Sequence, residues 1–82
     1  MEEQTAREFI EAFEGAQGKA DLFEVVKTNP ARPHVEEVEY EVVFNGQTEV
    51  RLTVGEASIL ACELSGDRRF ASEVVESGHS NL

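Results

Sequence analysis

Between Val35 and Val54 apolar and polar residues alternate. Val38, Tyr40, Val42, Val50, Leu52 and Val54 form one set, while Glu37, Glu39, Glu41, Glu49, Arg51 and Thr53 form the other. A period of two predicts a pair of strands with the apolar set turned toward a core. Asn45-Gly46 sits between them and is a favoured pair for a two-residue type I′ turn. Face parity argues for a different loop. The tight turn would pair Phe44 with Gln47, Val42 with Glu49 and Glu41 with Val50, mixing both sets on both faces. A three-residue loop, Phe44-Asn45-Gly46 or Asn45-Gly46-Gln47, keeps the sets apart and is the expectation here.

The flanking segments carry other periods. Over residues 4–14, Ala6, Phe9, Ile10 and Phe13 recur at i, i+3, i+4 and i+7 among Glu2, Glu3, Glu8, Glu11 and Glu14. This pattern predicts an amphipathic helix, with Thr5 and Glu8 at capping-box spacing and Gly15–Gly18 ending it. Leu22–Lys27 fits a short helix or a strand, and Val25-Val26 favour the strand. Residues 28–34 hold Pro30 and Pro33 and predict a loop. Thr53 and Glu56 repeat the capping-box spacing before a stripe of Ala57, Leu60, Ala61 and Leu64, and Ser65-Gly66 stop that helix. Asp67 suggests a further N-cap, ahead of Phe70, Ala71, Val74 and Val75, with Glu76-Ser77-Gly78 ending that element.

The expected fold class is α+β, in the order α-β-β-β-α-α. A three-stranded antiparallel sheet would have its helices on one face, in one compact domain over residues 1–78 with a mobile tail at 79–82. The apolar face of the hairpin would meet Phe9, Ile10, Phe13, Leu60 and Leu64. At 82 residues and 40% hydrophobic content, the chain is sized for a single small core.

Charge changes the picture more than size does. Seventeen acidic residues stand against seven basic ones, a formal charge of −10. Such a surface repels nucleic acid and anionic membranes and favours basic partners. The order α-β-β-β-α is similar in topology to that of double-stranded-RNA-binding domains. Where that family holds phosphates with lysines, residues 54–58 (VGEAS) offer an acid and no lysine, so direct nucleic-acid binding is not expected. The single cysteine, Cys62, excludes an internal disulfide and fits a reducing compartment. Met1-Glu2-Glu3 is unlike a signal peptide, no run is long enough to span a membrane, and a cytoplasmic location is expected.

Candidate chemistry is sparse. His34 and His79 fall in an expected loop and tail, Ser58 lies in no nucleophile motif, and Cys62 has no cationic neighbour to lower its pKa. A small core hydrophobe is the expected role of Cys62. No His/Cys pair has metal-ligand spacing and no glycine-rich phosphate loop is present. No enzyme, cofactor or metal is therefore expected.

The distinctive feature is the acidic strand. Glu37, Glu39 and Glu41 would stand roughly 6.8 Å apart on one face, with Glu36 at the margin and Glu49 and Arg51 on the neighbouring strand. Read plainly, this is a solvated outer face that charge protects from aggregation. Read functionally, it is a partner-binding surface made of Glu36, Glu37, Glu39, Glu41, Glu49 and Arg51. The protein would then occupy a basic surface of a larger protein, and in the sharpest form would inhibit a nucleic-acid-handling complex by imitating phosphates. The alternative is a structural or regulatory interaction module, a homodimer through the open sheet face or through Leu22–Lys27 as an edge strand.

Overall fold

A computed structural model describes residues 3–68. It shows a small α+β fold, one antiparallel sheet and one helix, in the order β1 (Gln4–Gly15), β2 (Gly18–Asn29), β3 (Arg32–Phe44), β4 (Gln47–Arg51) and α1 (Val54–Ser65). The sheet is a meander, β1-β2-β3-β4. The expected element after Asp67 and the tail at 79–82 lie outside the described residues.

The first correction is at the N-terminus. Residues 4–15 are a strand, not a helix, paired along their length with β2. The helical spacing of Phe9, Ile10 and Phe13 arises from a bulge. Phe9 pairs with Phe23, Glu11 pairs with Leu22, and the extra residue between them reverses the faces. Phe9 therefore points away from α1 while Phe13 points toward it. Pairing with the β-branched and aromatic residues of β2 overrides the helix preference of the local Ala and Glu residues.

The expected strand at Leu22–Lys27 forms, but it is interior: β2 lies between β1 and β3, and the edges are β1 and β4. The sheet accordingly has four strands rather than three. The loop expected at 28–34 contracts to a turn at Pro30-Ala31, where the Asn29 side-chain oxygen accepts a hydrogen bond from the Ala31 N–H at 2.9 Å. The register jumps from Thr28↔Glu36 to Asn29↔Arg32. Pro33 falls within that irregularity, where a missing N–H is tolerated.

The Asn45-Gly46 turn is the tight one after all. Phe44 pairs with Gln47 and Val42 with Glu49, with φ of 53° at Asn45 and 78° at Gly46. Two successive left-handed residues are the signature of type I′. The parity objection fails because β4 is a five-residue edge strand, and Glu49 reaches water from the helix side of the sheet. The apolar set divides as a result. Val42 is buried and Tyr40 packs on the core, but Val38, Val50, Leu52 and Val54 are exposed.

Helix α1 begins as its capping box requires, with the Thr53 Oγ1 accepting from the Glu56 N–H at 3.2 Å. It ends at Gly66, φ 82°, whose N–H reaches the Cys62 carbonyl at 2.8 Å. The core is Phe13, Ala20, Leu22, Val42, Ala57, Ala61 and Cys62, with Tyr40, Phe44, Leu60 and Leu64 packed around it. Phe9 and Ile10 remain outside it, 54% and 43% exposed. The β1–β2 turn clasps the helix end. Gln17 N–H donates to the Ser65 carbonyl at 2.8 Å, Glu14 N–H donates to the Asp67 carboxylate at 3.2 Å, and Gly15 lies against the Gly66 backbone.

At roughly 1.5 Å per residue for the helix and 3.4 Å for strands, α1 spans less than half of the sheet's length. The rest extends as an arm made of the first half of β1, the second half of β2 and the first half of β3. The radius of gyration, 15.3 Å, exceeds the ~12 Å of a compact chain this long. No helix among the described residues is long and apolar enough to cross a membrane.

Candidate partner-binding surface

Strand register fixes which side chains share the face turned away from α1. Arg7 and Phe9 come from β1, Phe23, Val25 and Lys27 from β2, Glu37, Glu39, Glu41 and Val43 from β3, and Val50 from β4. Nothing among the described residues packs over this outer face. Three of the expected site residues, Glu37, Glu39 and Glu41, lie on it together. Glu36, opposite Thr28, points to the helix side of the sheet, as do Glu49 opposite Val42 and Arg51 opposite Tyr40. The six residues therefore do not form one surface. Arg51 is turned to its own strand, with Nη2 3.8 Å from Glu49 and Nη1 donating to the Val50 carbonyl at 2.8 Å.

The carboxylate row is also less bare than its sequence implies. Arg7 Nε meets Glu41 Oε1 at 2.8 Å, and Lys27 Nζ meets Glu39 Oε1 at 2.8 Å. Lys27 is held above its ordinary pKa, first by that hydrogen bond and then by the charge of Glu39, with Glu3 and Glu37 adding to it. Glu37 is exposed and forms no ion pair with the described residues.

The Arg7–Glu41 pair runs diagonally across β2, and the Lys27–Glu39 pair runs from β2 to β3 beside it. Val25 stands between Arg7 and Glu39 in register, on the face without a helix, yet only 2% of it is accessible. Side chains of its own face must shield it, and the long stems of Arg7 and Lys27 suit that task. The Arg7 guanidinium lies 3.7 Å from the centroid of the Phe23 ring, and Phe9 meets Phe23 edge to face at 5.7 Å. Arg7 is thus gripped by a ring on one side and a carboxylate on the other.

Arg7, Phe9, Phe23 and Lys27 were the site residues that sequence reading missed. The alternation of Arg7 and Phe9 in β1 is legible only once residues 4–15 are read as a strand.

Elsewhere the chemistry is thin. Two clefts at the end of the arm, one of about 110 Å³ lined by Glu3, Lys27, Asn29, Arg32, Val35 and Glu37 and one of about 250 Å³ beside Pro30 and Pro33, are smaller than the roughly 300–1,000 Å³ of small-molecule sites. Cys62 is a buried cysteine in the core. Among the described residues no group of three or more His, Cys, Asp or Glu could hold a metal ion. Compared with family models, curated proteins and solved structures, the chain gives no significant match.

Proposed function

We propose that this chain is a non-enzymatic binding protein whose outer sheet face docks on a basic surface of a larger protein. The carrying observation is the Arg7 clamp. The face already holds one guanidinium between the Phe23 ring and the Glu41 carboxylate. The same face also carries, at separate points, Phe9, 54% exposed next to Arg7, and Glu37, exposed opposite Lys27 and free of ion pairs among the described residues. An exposed aromatic ring and an exposed carboxylate each suit an incoming Arg or Lys. The net charge of −10 draws such a partner in from a distance and repels nucleic acid and anionic membranes.

In the sharper form, the basic surface belongs to a nucleic-acid-binding protein, and the carboxylate row occupies its phosphate sites as an inhibitor. Glu39 and Glu41 are engaged by Lys27 and Arg7, so this form requires the partner's cations to share or displace those bridges. A second reading, a homodimer across the same face, has the exposure of Phe9 in its favour and the mutual repulsion of two −10 chains against it. The protein would act in the cytoplasm, where its thiol stays reduced.

Titration with an octa-arginine peptide at increasing ionic strength tests the reading. Affinity should fall steeply with salt, and it should collapse when Glu37, Glu39 and Glu41 are all replaced by Gln. Affinity unchanged in that triple variant would contradict a role for the face. Sedimentation over a range of concentrations identifies the homodimer if that reading holds instead.

A further inference from the structure

The sheet has a step in its outline. Strand β4 pairs with β3 only from Tyr40 to Phe44, so β3 runs on through residues 32–39 with no described strand on the side away from β2. The direction of its backbone groups follows from the turn. Phe44 and Gln47 close a two-residue loop, and the Phe44 carbonyl faces the Gln47 N–H across it. Alternation then directs the N–H and C=O of Phe44, Val42 and Tyr40 toward β4, and those of Val38 and Glu36 into the open step. Pro33 lies within the register shift between Glu36 and Arg32, outside the regular part of this edge. Val35 and Val38 are each 42% exposed here, among Glu36, Glu37 and Glu39.

We infer that this step accepts an extended segment of the basic partner, which adds to the sheet in line with β4. The inference rests on the proposed reading as a binder of basic proteins and specifies how the partner is held. An open ladder supplies affinity through backbone hydrogen bonds, and alternate side chains supply selectivity. On the outer face Glu37 and Glu39 call for Lys or Arg at alternate positions of the added strand. On the helix side, Val38 calls for an apolar residue beside it.

A second copy of this chain fits the step poorly. Antiparallel self-pairing through the outward-bonding residues sets Glu36 against the second copy's Glu36, or Glu37 against its Glu37, and like charges directly opposed are destabilising. Val38 against the second copy's Val38 sets Glu37 against Glu39, and Glu36 against the second copy's His34 drives each Pro30-Ala31 turn into the end of β4 at Arg51, which already occupies the place opposite Tyr40. A register centred on His34 brings Glu36 to Arg32, but it falls within the irregular part of β3 and leaves Glu37 and Glu39 without a cation. Parallel self-pairing places each glutamate beside its own equivalent. Charge therefore selects a basic strand.

Amide hydrogen exchange on the full chain tests this, with an alternating Lys-Val octapeptide and a charge-matched Lys-Pro octapeptide whose prolines cannot join a ladder. With Lys-Val, exchange at the Glu36 and Val38 amides should slow about tenfold or more, and with Lys-Pro it should not. If both peptides bind equally and leave those amides unchanged, the edge is no acceptor although the outer face still binds cations. If neither binds at low salt, the proposed function falls with it. Slowing of the same amides at high protein concentration without peptide would make the occupant a second copy and overturn the choice of partner.

Discussion

Arg7 on β1 reaches over β2 to Glu41 on β3, Nε to Oε1 at 2.8 Å, with its guanidinium 3.7 Å from the Phe23 ring centroid. One side chain thereby ties three strands together on the face that has no helix. Arg7→Ala removes a half-exposed ion pair and a cation–π contact, and is expected to cost about 1–2 kcal/mol. Arg7→Lys should recover only part of that, since an ammonium cannot lie flat on the ring. Urea unfolding of the two variants checks both statements.

The roof over Val25 makes a contrast within one sheet. Val25→Ala should cost about 2 kcal/mol, because the residue is 2% accessible, whereas Val38→Ala at 42% accessibility should stay within about 0.5 kcal/mol. Equal effects in thermal unfolding would show that the charged side chains do not seal the outer face.

Two glycines separate close approach from open space. A Cβ on Gly15 would run into the Gly66 carbonyl carbon, while a Cβ on Gly55 meets nothing within 4 Å. Gly15→Ala should therefore break the clasp between the β1–β2 turn and the helix end, at a cost above about 2 kcal/mol. Gly55→Ala in the first turn of α1 should stabilise by up to about 1 kcal/mol.

The Lys27–Glu39 bridge has a pH signature. The folded-state pKa of Lys27 is raised above its ordinary 10.5. Its contribution is therefore fully present below that ordinary value and is lost as pH rises through the raised one. The stability difference between wild type and Lys27→Met should be constant through neutral pH and shrink only in strongly alkaline solution. A difference that disappears near neutrality would contradict the assignment.

Much of the helix was legible, because its signals are local: Thr53 and Glu56 at its start, Ala57, Leu60, Ala61 and Leu64 on its inner side, and Gly66 at its end. The strand at Leu22–Lys27 was legible for the same reason. Residues 4–15 were not, because one bulged residue reverses the faces and makes a strand imitate helical spacing. The Asn45-Gly46 pair signals its own turn type, and face parity misleads because it binds only where a strand has one buried face, whereas β4 is exposed on both. Of the candidate surface, the row Glu37, Glu39 and Glu41 was visible at once. Its cations were not: Arg7 comes from the strand that the bulge disguises, and Lys27 meets Glu39 only through the long-range pairing of β2 with β3.

The decisive measurement compares two variants of equal charge. Replacing Glu37, Glu39 and Glu41 by Gln empties the outer face of its β3 carboxylates. Replacing Glu8, Glu49 and Glu63 by Gln removes as much charge from the helix side of the sheet and from α1. If the outer face is the docking surface, octa-arginine binding should weaken about tenfold or more in the first variant, roughly 1.4 kcal/mol, and far less in the second. Equal weakening in both would mean that net charge alone attracts the peptide, and would contradict the central claim.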